Sequence, residues 1–147
     1  MFEKLTSAAT CSIGTFVLLT LLGGTAQADV DIYRGVDAKS NGNATLSPGQ
    51  FSFNPTLSNF IQPQLAPVLK PCNYWFTVIL DGEPDVGAHG PVAGLEGYTA
   101  LFDNDPEGHW GIIQPEGVSA DDAKAAVSAF AQQNRQNVVN GTQDNCR

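Results

Sequence analysis

The run NYWFTVIL, residues 73–80, limits what this chain can fold into more than any other segment. It is rich in aromatic and β-branched residues and contains neither glycine nor proline, so it reads as a strand. Tyr74, Phe76, Val78 and Leu80 fall on one face, and Trp75, Thr77 and Ile79 on the other. Apolar residues on both faces predict a central strand covered from both sides. Such a strand needs partners, and the sequence offers several short ones. VDIYR, residues 30–34, alternates and reads as a first strand. QFSF, residues 50–53, reads as a short strand. GYTALF (97–102) and HWGIIQ (109–114) read as a hairpin joined by the turn-forming DNDPEG.

Prolines limit helix elsewhere. NPTLSNFIQPQLAPVLKP holds four of them, leaving room for a single helical turn near Leu57–Ile61. DGEPDVGAHGPVAG reads as a long loop. One helix is clearly written near the C-terminus. Ser119 and Asp122 form a capping-box-like start, Asp121 and Asp122 suit the positive end of the helix dipole, and Ala123, Val127, Phe130 and Ala131 recur at helical spacing. Asn140-Gly141 supplies a stop, with fraying from about Gln136. The expected fold is α+β: a small, mostly antiparallel sheet with a C-terminal amphipathic helix.

The first residues read as a leader, not as part of that fold. A polar start with one lysine precedes the apolar IGTFVLLTLL, residues 13–22, and small residues at Ala26 and Ala28 complete a cleavage pattern. Residues 1–28 are the expected signal peptide, and 29–147 a single secreted or periplasmic domain of 119 residues. Cleavage leaves two cysteines, Cys72 and Cys146. In an oxidising compartment they are expected to pair, the alternative being two free thiols or an incomplete metal site. The sequons at Asn43 and Asn140 mark glycosylation acceptors in a eukaryotic source.

The mature chain keeps the net charge of −8. Arg34, Lys39, Lys70, Lys124, Arg135 and Arg147 are scattered and form no stripe, which argues against nucleic-acid binding. An anionic membrane would repel the processed chain. Asp103, Asp105, Glu107 and Gly108 fit the first half of a calcium loop, but Gln114 stands where a bidentate Glu belongs and no helices flank the segment. An acidic turn is expected there. With His89 as the sole companion of His109, no zinc set and no other metal site is expected. There is no G-x-S-x-G elbow, and the carboxylates at 83, 85, 96, 107 and 116 show no spacing that selects a catalytic pair.

Three residues carry more specific chemistry. Arg34 ends an apolar strand and suits bidentate capture of a carboxylate or diphosphate. Gly35 after it permits close approach by a ligand or a neighbouring segment. His109 could act as a general base or contact a ligand. In order along the chain, IYRGV, WFTVILDGEP, GHWGIIQP and the capped VSADDAKAAVSAF resemble the ADP-ribosyltransferase-like toxin family that includes bacterial type VI effectors and fungal relatives. The resemblance covers about two thirds of the mature chain in short motifs. It implies NAD as substrate, with Arg34 on the dinucleotide phosphates, Tyr33 supporting that strand and His109 lining the cleft. A broader Arg, Ser, Gln-x-Glu pattern adds Ser52 on the cofactor and Glu116 beside the oxocarbenium-like centre. Pro115 within that triplet is a departure, since it removes a backbone donor. The alternative expectation is a non-enzymatic secreted binding or inhibitor domain that presents the 81–94 loop to a protein target.

Overall fold

The computed structural model describes residues 27–147. The predicted leader therefore lies outside the described residues except for Gln27 and Ala28, which open the first strand. Seven strands form one antiparallel sheet: β1 (Gln27–Val36), β2 (Leu57–Phe60), β3 (Cys72–Asp81), β4 (His89–Pro91), β5 (Thr99–Phe102), β6 (His109–Ile113) and β7 (Val138–Asn140). Their order is β4-β5-β6-β2-β1-β3-β7. The sheet curls far enough that Val92, just past β4, bridges back to Val78 of β3. One helix, α1 (Ala120–Gln133), completes the α+β fold.

The longest pairing is β1 with β3, in register from Gln27↔Asp81 to Val36↔Cys72. It sets the parity of the sheet, because residues directly opposite each other share a face. Ile32 and Val36 point inward with Tyr74, Phe76, Val78 and Leu80, all buried. The outward set of β3, Trp75, Thr77 and Ile79, is only half-buried. The expectation of a strand covered on both sides is thus corrected: β3 has one dry face and one partly open face. Loop 37–53 and α1 close the inner side. Phe51 is fully buried, edge-on to Tyr74 and Phe76 at 6.2 and 6.3 Å between ring centroids. Phe130 of α1 stacks on Phe76 at 6.4 Å.

Four local expectations change. QFSF is not a strand: Pro48–Gln50 form a 3₁₀ turn that drops Phe51 into the core. Leu57–Ile61 is not helical: β2 lies between β1 and β6, and in-register pairing with β6 satisfies its backbone. The 81–94 loop contains a strand, β4, paired to β5 from His89↔Leu101 to Pro91↔Thr99. The helix stops earlier than Asn140-Gly141. The backbone and side-chain N–H groups of Asn134 both donate to the Phe130 carbonyl, so Asn134 caps the helix, and the chain turns into β7.

The helix start follows the sequence. The Ser119 hydroxyl accepts the Asp122 backbone N–H at 3.1 Å and donates to the Asp122 carboxylate at 2.6 Å. Ala123, Val127 and Ala131 are buried. Cys72 and Cys146 form a disulfide across 74 residues. It ties the C-terminal segment to the start of β3, beside β7, where backbone bonds from Gly141, Thr142 and Gln143 to the 70–71 carbonyls and between Arg147 and residues 42 and 44 also hold the tail. Removing the cross-link with Cys72→Ser/Cys146→Ser should destabilise the domain by about 4 kcal/mol on loop-entropy grounds. Guanidinium unfolding of the two forms checks this, and equal midpoints would contradict it.

Candidate functional site

The site begins where β1 and β2 part. The two strands share a single pair, Tyr33↔Phe60, and one residue further along β1 the gap between them is filled by Arg34. Its Nε donates to the Gln50 carbonyl and its Nη1 to the Ser58 carbonyl, each at 3.0 Å. Two of five guanidinium N–H groups are thereby bonded, and the other three have no partner among the described residues. Among the described residues no carboxylate pairs with Arg34; their ion pairs are Lys70–Asp37, His109–Asp103 and Lys124–Asp121. Burial pushes the guanidinium down from its ordinary value, yet arginine stays charged in proteins. The result is a partly buried cation that lacks an anion.

A cleft of about 470 Å³ opens beside it, lined by Arg34, Gly35, Ser58, Phe60, Lys70 and His109, with the 66–68 segment and the Asp105-Pro106 turn as walls. The segment from Ala66 to Lys70 runs over the outer face of the sheet. Gly35 makes that possible, because a Cβ there would sit 2.8 Å from Lys70 Cγ. The close approach expected at Gly35 is thus made by a side chain of the protein itself. Lys70 Nζ donates to Asp37 at 2.9 Å. The other Asp37 oxygen accepts from the Gln50 amide, and Gln50 Oε1 accepts the Asp37 backbone N–H. The same network therefore fixes both the cationic wall and the loop whose carbonyl holds Arg34.

His109 enters the cleft from β6, opposite Phe60, whose ring meets the imidazole edge-on at 5.4 Å. His109 is 8% exposed. Its Nδ1 lies 2.6 Å from Asp103 Oδ1, across the β5–β6 turn. That turn is held by Asn104, whose side chain accepts the Gly108 N–H, and by the His109 N–H donating to the Pro106 carbonyl. Gly108 is required there: it has φ +75°, and a Cβ would meet Leu65 at 2.4 Å.

Two of the residues singled out in the sequence line the cleft: His109 from the outer face, and Arg34, which stands opposite Tyr74 in the ladder, from the gap between β1 and β2. Tyr33 projects to the outer face between Trp75 and Phe60 and is half-buried, outside the cleft lining. Ser52 is exposed, with its hydroxyl directed to the Gly49 carbonyl at 3.4 Å. Glu116 is exposed beyond the far end of β6, and the neighbouring Gln114 amide donates to Val118. Neither Ser52 nor Glu116 lines the cleft. Residues that sequence reasoning did not assign to the site are Ser58, Lys70, Asp37 and Asp103. Asp103 was visible as an acidic turn residue six positions before a histidine, but only the hairpin register makes them neighbours. His89 is exposed in a separate cavity beside Asp81, Glu83 and Asp85. Among the described residues no group of three or more His, Cys, Asp or Glu converges on a metal position, and no helix is long and apolar enough to cross a membrane. The sequon asparagines use their side-chain oxygens internally, Asn43 toward Arg147 and Asn140 toward the Cys146 N–H.

No protein-family model, curated protein or solved structure matches this chain.

The Lys70–Asp37 network has a pH consequence. Hydrogen bonds from Lys70 and then Gln50 hold Asp37 below its usual carboxylate range. Its stabilising contribution is present above the unfolded value near 4 and is lost as pH falls through the lower folded value. Both side chains are more than a third exposed, so the contribution is about 1 kcal/mol or less. Urea unfolding from pH 6 down to pH 2 should show Asp37→Asn less stable than the parent at the upper end, with the two converging at the lower end. A constant gap would contradict this.

Proposed function

We propose that this chain is a secreted NAD-binding domain of the ADP-ribosyltransferase-like kind, holding the dinucleotide in the Arg34–His109 cleft. The observation that carries the reading is the pairing of a carboxylate-free arginine, with unbonded N–H groups, and a histidine on one concave surface. A diphosphate supplies the anion that Arg34 lacks, and guanidinium N–H groups match its oxygens in pairs. A volume of about 470 Å³ lies within the usual range for small-molecule sites. Ser58 and Phe60 offer a hydroxyl and an aromatic edge for a sugar or base. The disulfide agrees with an oxidising destination.

The placement of Glu116 shapes the reaction. With that carboxylate outside the cleft, the reading favours hydrolysis of the nicotinamide–ribose bond over directed transfer to a protein target. A second reading rests on Val86, 66% exposed at the tip of the 81–88 loop. Under it the loop docks a protein partner and the cleft is incidental.

Calorimetric titration of the disulfide-intact protein with NAD and with ADP-ribose separates the two. NAD binding should weaken at least tenfold, about 1.4 kcal/mol, in Arg34→Lys, which keeps charge but loses the fork, and should stay unchanged in Glu116→Gln. Circular dichroism controls for folding, since the Ser58 and Gln50 carbonyls lose a donor in the Arg34 variant. Absence of binding by either ligand to the folded parent overturns the dinucleotide reading. Loss of partner capture on loop deletion would support the alternative.

A further inference from the structure

We infer that Asp103 is a positioning residue that fixes the tautomer of His109, so that Nε2 faces the cleft as a proton acceptor. An ionised carboxylate has no proton to donate. Asp103 Oδ1 also accepts the Asp105 backbone N–H, at 3.3 Å, which marks it as an acceptor. The 2.6 Å contact to His109 Nδ1 therefore requires the proton to sit on Nδ1. In the neutral ring, Nε2 then carries the lone pair. Nε2 has no hydrogen-bond partner among the described residues, and His109 lines the cleft shared with Arg34 and Ser58. The Phe60 ring packed edge-on at 5.4 Å and the hydrogen-bonded turn resist a ring flip that would exchange the nitrogens.

The arrangement gives the cleft a base, and its catalytic use rests on the dinucleotide reading above. A water held at Nε2 passes a proton to it while its oxygen bonds to the anomeric carbon of the nicotinamide ribose. The carbon–nitrogen bond breaks, and its electron pair neutralises the pyridinium, so nicotinamide leaves uncharged. The imidazolium then releases its proton to solvent. Asp103 stabilises that imidazolium without taking the proton itself, and the Arg34 guanidinium holds the phosphates.

The test reads the tautomer directly. Long-range ¹H–¹⁵N correlation spectra of the disulfide-intact domain, with His109→Gln to assign the ring, should show neutral His109 protonated at Nδ1. Asp103→Ala should shift the population toward Nε2–H while amide shifts outside the 103–109 turn hold. If alanine unsettles the turn, Asp103→Asn keeps an acceptor for Asp105 and, its neutral oxygen being the weaker acceptor for Nδ1–H, should raise the Nε2–H fraction less than alanine does. A parent His109 in the Nε2–H form, or a tautomer ratio unmoved in these variants, overturns the inference. An NAD-hydrolysis assay forms the second arm. If the parent turns over NAD, Asp103→Ala and His109→Gln should each lower kcat by about 10² to 10⁴-fold with KM little changed; unchanged kcat overturns the catalytic use. If the parent does not turn over NAD, the catalytic use falls with the dinucleotide reading, and the spectra alone decide the positioning role.

Discussion

Strand β1 is paired over ten residues with β3 on one edge and over one residue with β2 on the other. That imbalance is the constraint from which the cleft follows. A strand fully paired on both edges leaves no backbone acceptor for a side chain to reach. Here the splay between β1 and β2 leaves the Ser58 carbonyl facing a gap, and a buried carbonyl without a donor would cost roughly 1–3 kcal/mol. Arg34 fills the gap with a planar donor that satisfies both this carbonyl and that of Gln50. A leucine would fill the volume and leave both carbonyls unpaired. A lysine would offer a single nitrogen for two acceptors on different segments.

This structural duty does not exhaust the guanidinium. Carbonyl dipoles solvate part of the charge, but among the described residues no carboxylate neutralises it. Asp37, on the same side, is engaged by Lys70 and Gln50. Arg34 is thus a positive charge beside a concavity in a protein of net charge −8. An anion entering the cleft meets attraction at Arg34, with Asp105 at the rim as the opposing charge.

What the sequence made legible was local and periodic. The 3.6-residue spacing of Ala123, Val127 and Ala131, the cap at Ser119, the hairpin around DNDPEG and the strand NYWFTVIL are properties of neighbouring residues, and each is found where expected. Phe51 shows the limit. QFSF has the composition of a strand, but its aromatic ring is used as a plug for the core, and tertiary packing overrides pattern there. β4 was hidden because His-Gly-Pro has no strand propensity; pairing with β5 imposes the extended backbone. The cleft was half legible for the same reason. Arg34 and His109 announce their chemistry by residue type, whereas Lys70, Ser58 and Asp103 join them only through register and chain crossing.

The antiparallel geometry of β6 decides which carboxylate can serve the histidine. Successive residues advance by about 3.3 Å, so the four steps from His109 to Ile113 place the end of the strand about 13 Å away, with Glu116 further on. The turn that precedes β6 does the opposite: it doubles the chain back so that Asp103, six residues earlier in sequence, lies directly across from His109. Phe102↔Trp110 is the last ladder pair before the turn, and the next position outward on each strand is the Asp–His pair. Parity places both on the outer face, the same side as Phe60 and the cleft. A hairpin one residue longer on either side would turn one of the two inward. The partnership of these two residues is therefore a property of the register of one turn, and it makes the acidic residue nearest the histidine a support for the imidazole.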